Sequence, residues 1–382
     1  MSAGSTCTKI YPKLYMLARI ELQLHSLNAS GAIGNYTKLQ EGYVVVDGEA
    51  IPVPVITGNA LNNWHARATV LKYLELGGTA VHKEQSVHQS IESSGLTCGT
   101  AVHKEHYEKG MQRVSADLAK ASGITDKTDR TDAEKILVNG CSICDVHGFM
   151  LAEEGLPQVR RESTIKMSFA VPVEKMVKEI RKFVITHNRV SKDPNEMMVI
   201  KREYASAIYG WLSVFDLSGV GRSQYKKHPN AGVWAGKKII EFDEVTKRVK
   251  AAILAYEALL TGELGASTSR ALPLSKPVEI VAILTRWPIP MPLHPFYDDY
   301  VSWLRNILEK YGEQIEKVYY YGVDLKDLKV NSGNKEGSKE GNKKAELKEP
   351  IEILKVLAGD AKQLLQKFWG NLGDIKQQEQ KG

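Results

Sequence analysis

Val55-Ile-Thr-Gly-Asn-Ala-Leu-Asn-Asn-Trp-His-Ala-Arg67 joins a β-branched run to a helical pattern, and the rest of the fold can be laid out around that junction. The run stops at Gly58, and Thr57 or Asn59 is a natural N-cap for the helix. A helix that opens directly after a strand presents unpaired backbone N–H groups and the positive end of its dipole, which suits an anion. Its first turns carry Asn62, Asn63, His65 and Arg67, so hydrogen-bonding and cationic groups accompany the backbone donors. A second stretch of similar style, Gly-Glu-Leu-Gly-Ala-Ser-Thr-Ser-Arg, spans Gly262 to Arg270.

Upstream, Leu14 to Leu24 reads as a half-buried strand. From Ala18 onward Ala18, Ile20, Leu22 and Leu24 alternate with Arg19, Glu21, Gln23 and His25, predicting an unusually polar outer face. Tyr43 to Val46 and Ile51 to Ile56 flank Asp47-Gly48 and predict a hairpin, with Pro52 and Pro54 marking an edge. The helix runs from about Asn59 to Leu76 and ends at Gly77-Gly78. Gly78 to about Gly140 reads as an insertion and repeats Gly-Thr-Ala-Val-His-Lys-Glu at Gly78 and Gly99; the pairing of His82 with His103 as ligands and a local duplication both remain open.

Downstream, Ser163–Val173 and Tyr204–Leu217 predict strands, separated by a charged span that reads as a helix start and a loop or hairpin. Val245, Val249, Ile253, Tyr256 and Leu260 predict a helix over Asp243–Thr261. Val278–Trp287 predicts a last core strand, with a helix after it near Phe296–Tyr311. Val330 to Lys348 is low in complexity and is expected to be disordered, with a final helix over about Pro350–Trp369. Without the insertions the order is strand, helix, strand, strand, helix, strand. That is an α+β fold with a ferredoxin-like, RNA-recognition-motif-like βαββαβ core, lacking that module's aromatic stacking signature.

No apolar run approaches a membrane span, and the N-terminus lacks a secretory layout, so a cytoplasmic location is expected. The net charge of +6 is too mild to name a partner, but its distribution is uneven. Gln158 to Arg202 holds eleven Lys/Arg against five Asp/Glu, which accounts for the whole surplus. Within it, Arg160, Arg161, Ser163 and Lys166, and then His187, Asn188 and Arg189, mix hydrogen-bonding with cationic groups, as a sugar-phosphate backbone requires. Motifs for phosphate-loop, metalloprotease, hydrolase and kinase chemistry are absent, and no cofactor is expected. Four cysteines fit a reducing compartment. Cys141 and Cys144, near His147, have metal-knuckle spacing without a second pair; two small thiols beside a turn is the other reading.

Taken in order, V-I-T-G-N-A-L, C-S-I-C-D-V-H-G-F, V-R-R-E-S, T-H-N-R-V, R-E-Y-A-S and G-E-L-G-A-S-T-S-R resemble the DevR-type backbone subunit of archaeal type I-A CRISPR Cascade, the Cas-seven family, over about Leu14 to Trp287. The resemblance implies a hand-shaped protein whose insertions form fingers (77–160) and a thumb (174–204) on one domain spanning 1–330, with a linker at 331–349 and a C-terminal helix and tail at 350–382. It implies copies that polymerise helically along a guide crRNA in antiviral defence, alongside other Cascade subunits, presenting bases to target DNA. The guide's backbone would then meet Arg19, Asn35, Tyr36, Asn59, Asn62, His65, Arg67, Arg160, Arg161, Ser163, Lys166, His187, Asn188, Arg189, Ser267, Ser269 and Arg270. Met197 and Met198 would be wedges in the thumb, or ordinary packing residues. Related type III subunits cut RNA with an aspartate in the loop after the first strand. Here His25–Gln40 holds no acid, so no RNase activity is expected. A DNA-binding autoregulator of the DevR type is the alternative, and an enzyme built on Cys141, Cys144, Asp145 and His147 comes third.

Overall fold

β1 (Lys13–His25) is central because both of its faces are apolar. Leu14, Met16, Ala18, Ile20 and Leu22 face one side and Tyr15 and Leu17 the other, all buried. The structure, a computed structural model, describes residues 10–78, 114, 116–189, 198–225, 238–263, 271–326, 328–330 and 343–379.

Two hairpins come after β1. The first is β2 (Ala29–Ile33) with β3 (Tyr36–Leu39), and the second is β4 (Glu41–Val46) with β5 (Glu49–Pro54). Asp47 and Gly48 turn the second at φ 53° and 80°, the backbone that a two-residue hairpin turn with matching twist demands. After α1 (Gly58–Glu75) comes the inserted region, with α2 (Ala116–Ala121), α3 (Arg130–Gly140), α4 (Ser142–Val146), β6 (Phe149–Leu151) and β7 (Val159–Arg161). β8 (Ile165–Met167), β9 (Val171–Pro172) and β10 (Phe183–Arg189) all pair with the long β11 (Met198–Asp216). Then come α5 (Phe242–Thr261), β12 (Leu274–Thr285), α6 (Tyr300–Lys310) and β13 (Ile315–Tyr321). The short β14 (Lys329–Val330), β15 (Lys343–Lys344) and β16 (Glu346–Leu347) precede α7 (Pro350–Glu379).

The result is a mixed α/β protein on a large central sheet, with ten strands among the described residues. At its heart β12, β1, β11 and β8 lie side by side, each antiparallel to the next. α1, α5 and α7 cover the Leu14–Leu22 face, and α6 packs on the Tyr15–Leu17 face. The inserted region has its own small core, including Leu137, Val138, Cys141, Cys144 and Phe149. Among the described residues no helix is long and apolar enough to cross a membrane.

Four expectations change. The polar face of β1 does not extend to His25: a register shift between Leu22 and His25 puts Leu24 at φ 55°, turning Leu24 into solvent and His25 into the core. His25 Nε2 there lies 2.7 Å from the Tyr209 hydroxyl. The strand expected over Ser163–Val173 is broken into β8 and β9. β13 is an addition to the expected elements, although Ile-Glu-Lys-Val-Tyr-Tyr-Tyr has high β-propensity. In the low-complexity stretch, Glu346–Leu347 pairs in parallel with Tyr319–Tyr320, while 331–342 lies outside the described residues. The duplicated heptapeptide, His82 and His103 also lie outside them, apart from Gly78.

Candidate nucleic-acid interface

α1 opens where the sequence places it. Thr57 is the N-cap, its hydroxyl oxygen accepting the Ala60 N–H at 3.2 Å, and no acid neutralises the first turn. Gly58 is required by contact rather than by φ: a Cβ there would stand 2.6 Å from the Met167 carbonyl oxygen. The helix therefore begins flush against the sheet. Asn59, Asn63 and Arg67 recur every four residues and share one stripe, with Asn59 exposed and the other two half-buried. Asn62 stands beside the stripe, and its Oδ1 lies 2.9 Å from His147 Nδ1.

Three of the expected contacts are closed off. His65 is fully buried, its ring 4.4 Å from that of Tyr256, because its position in α1 faces α5 and the insertion rather than solvent. Arg19 is buried on the α6 side of the sheet. Its guanidinium donates to the Pro295 and Tyr297 carbonyls at 2.8 and 2.9 Å, lies 3.4 Å from Glu279 and stands over the Tyr300 ring. Arg161 is more committed still, since all five of its N–H donors are used. It forms 2.7 Å ion pairs with Glu134 and Asp145 and donates to the carbonyls of Asp145, Gly219 and Arg222. None of the three can reach a phosphate without leaving the core.

The remaining positions divide. Arg160 is exposed on β7, and Asn35 on the β2–β3 turn. Lys166 is exposed but lies opposite Val214 on the face away from α1. The Tyr36 hydroxyl donates to Glu203, and the Ser163 hydroxyl donates to the Ile165 carbonyl at 2.6 Å. Burial opposes ionisation of Glu203, yet the Tyr36 hydroxyl and the Leu39 N–H hold its carboxyl below the usual range. His187, Asn188 and Arg189 lie on β10, paired through the backbone with Ile200, Val199 and Met198. Met197, Ser267, Ser269 and Arg270 fall outside the described residues.

Cys141 and Cys144 are buried in the insertion's core, with Cys141 Sγ accepting the Cys144 N–H at 3.2 Å. The His147 ring meets Asn62 and His65, and among the described residues no three His, Cys, Asp or Glu groups converge as metal ligands. Asp145, a candidate acid or base by sequence, is spent on Arg161, Arg248 and the Gly221 N–H. No local pattern announces that α1 is tied to the insertion through His147, and none announces the buried cluster of Glu134, Asp145, Arg161 and Arg248.

A family model described as CRISPR-associated negative auto-regulator DevR/Csa2 matches residues 16–303. The chain belongs to the DevR/Csa2 family. It is 32% identical over 331 residues to a Thermoproteus tenax protein named CRISPR-associated protein Cas7/Cst2/DevR, covering 82% of this chain and 88% of that one. A Methanocaldococcus jannaschii protein of the same name is 30% identical over 82% of this chain and 94% of its own length. The CRISPR-associated aCascade subunit Cas7/Csa2 2 of Saccharolobus solfataricus is 29% identical over 74% of this chain and 83% of its own. A chain of a solved CRISPR RNA-guided surveillance complex superposes with a TM-score of 0.45 at 12% identity, covering 91% of this chain and 99% of that one. β13 and α7 lie beyond the DevR/Csa2 match.

Two buried histidines, His25 and His65, and the half-buried His294 give this DevR/Csa2 chain a defined acid response. Burial lowers His25 and His294 to about 4 and His65 to about 3, from an ordinary 6.5. Folded-state values below the unfolded value mean that the stabilisation is complete above pH 6.5 and is lost as pH falls from there toward 4 and then 3. Thermal melts are expected to be flat just above neutrality and to drop steadily between pH 6.5 and 4. A melting temperature unchanged across that window would contradict neutral burial.

Proposed function

We propose that this chain is a Cas7-type backbone subunit of a CRISPR effector complex that grips guide RNA by its sugar-phosphate backbone, independently of sequence. The reading rests on family membership and on one observation: the Asn59–Asn63–Arg67 stripe on the acid-free first turns of α1. Neutral carboxamides and a guanidinium at a helix start suit an extended polyanion, and base pairing then supplies the specificity. Copies repeat along the guide into a helical filament, joined by other subunits, and the bases pair with target DNA. Such an assembly would work in the cytoplasm.

The antiparallel order β12–β1–β11–β8, with α1 and α5 crossing one face, supports reading the core as ferredoxin-like, with residues 77–160 as the finger insertion and 174–204 as the thumb. The stretch after β1 forms the β2–β3 hairpin without any carboxylate, so the chain is proposed to be catalytically silent. Magnesium-dependent RNA cleavage by the pure protein would count against that.

The test is purification, then absorbance at 260 and 280 nm, then imaging. Co-purifying RNA in rods of variable length is expected; a nucleic-acid-free compact dimer preferring duplex DNA would favour the autoregulator instead. Arg160→Ala is expected to weaken RNA binding alike for all sequences and to reduce the salt slope by about 1. A loss confined to some sequences would argue for base readout.

A further inference from the structure

Arg160 and Tyr225 meet on the outer face of the inserted region, although they stand 65 residues apart in the chain. β7 turns Val159 and Arg161 inward and Arg160 outward, opposite the exposed Met150 of β6. The Tyr225 hydroxyl oxygen accepts the Arg160 backbone N–H at 3.3 Å. A backbone N–H can only donate, so the direction of this bond is fixed and the hydroxyl hydrogen is not spent on it. That hydrogen finds no acceptor among the described residues, and neither does the exposed Arg160 guanidinium.

Both donors are held from beneath. The Ser223 hydroxyl and the Gln224 N–H donate to the buried Glu134 at 2.6 and 2.8 Å, and the Tyr225 N–H donates to Ser223 Oγ at 3.3 Å. Gln224 Oε1 accepts the Glu162 N–H at 2.8 Å. Arg161, next to Arg160, is ion-paired with the same Glu134 and donates to the Arg222 carbonyl. One buried carboxylate thus ties β7 to residues 222–225, and the two outward donors keep a set relation to each other.

We infer that the Tyr225 hydroxyl is a further RNA contact, donating to a phosphate oxygen beside the Arg160 guanidinium. This rests on the proposed grip on the sugar-phosphate backbone. A guanidinium and a hydroxyl, neither paired with a carboxylate among the described residues, suit a phosphodiester. Accepting the Arg160 N–H also polarises the hydroxyl and strengthens its outward donation. A second phosphate further along β7 would meet the exposed Glu162, so one phosphate group fits here rather than a run of them.

The experiment uses the full-length protein with single-stranded RNA of arbitrary sequence. Tyr225→Phe deletes the hydroxyl and keeps the ring. It is expected to bind RNA about threefold to tenfold more weakly, the range of one ordinary hydrogen bond. Its salt slope should stay that of the wild type, because no charge is lost. Nitration of the wild-type protein by tetranitromethane, read by peptide mass spectrometry, separates contact from support. RNA should protect Tyr225 and leave Tyr43, 76% exposed on the β4–β5 hairpin, reactive. Wild-type affinity for Tyr225→Phe would overturn the inference. So would weakened binding without protection of Tyr225, since the hydroxyl would then only support β7. A wild-type protein that binds no RNA would instead be the failure of the underlying reading. Should Tyr225→Phe not fold, protection of the wild-type residue decides alone.

Discussion

Arg161→Met is expected to lower the melting temperature by on the order of 10 °C, whereas Arg160→Met leaves it almost unchanged. The two arginines are adjacent in a basic stretch and read alike as phosphate ligands. β7 separates them, because successive side chains of a strand leave by opposite faces. Arg160 goes to solvent, and Arg161 enters the junction between the inserted helices and the core. There it holds Glu134 and Asp145, both fully buried, and its remaining donors cap the carbonyls of Asp145, Gly219 and Arg222.

Methionine keeps much of the volume but strands the two carboxylates. Glu134 keeps the Ser223 hydroxyl and the Gln224 N–H, and Asp145 keeps Arg248 and the Gly221 N–H, so the charges are partly met. Removing one partner of a buried ion pair typically costs about 3–5 kcal/mol. Differential scanning of the two single variants makes the comparison. Equal melting temperatures for both would sink the assignment of Arg161 to the core.

The same contrast explains how far the sequence can be read. Period and caps locate α1, α5, the β4–β5 hairpin and β1, because each shows its burial pattern within a single turn or strand. His25 escapes the pattern because one bulged residue reverses the alternation, and no arrangement of neighbours announces a bulge. Arg19 and His65 look like ligands in one dimension because the groups that absorb them, Glu279 and Tyr256, lie far away along the chain. Local charge is legible; the partner of each charge is not. Asn59, Asn63 and Arg67 share one stripe of α1 through helical spacing alone, the kind of placement that a sequence does carry.

A chain ending at Glu349 is expected to lose its cooperative unfolding transition, although the family match ends far earlier, at Trp303. α7 is not an appendage. Ile353, Leu354, Leu357, Ala361, Leu364, Leu365 and Phe368 are buried with α5 and the central strands in the main core, in the i, i+3, i+4 spacing of a single helix face. Tyr319 on β13 donates to Asp360, Arg222 stands over the Phe368 ring and Lys238 over that of Trp369. Burying each large aliphatic or aromatic side chain contributes about 1.5–3 kcal/mol, and ordering the helix offsets only part of the total. Truncation also removes the helix that packs on α5, β12 and β13 in the main core. A milder change isolates the packing: Leu357→Ala is expected to cost about 2–5 kcal/mol. Chemical denaturation of both proteins measures the effect. If the truncated chain kept a single transition at the midpoint of the full-length protein, α7 would have to be dispensable, and the core would have to close over β12 and β13 in some other way.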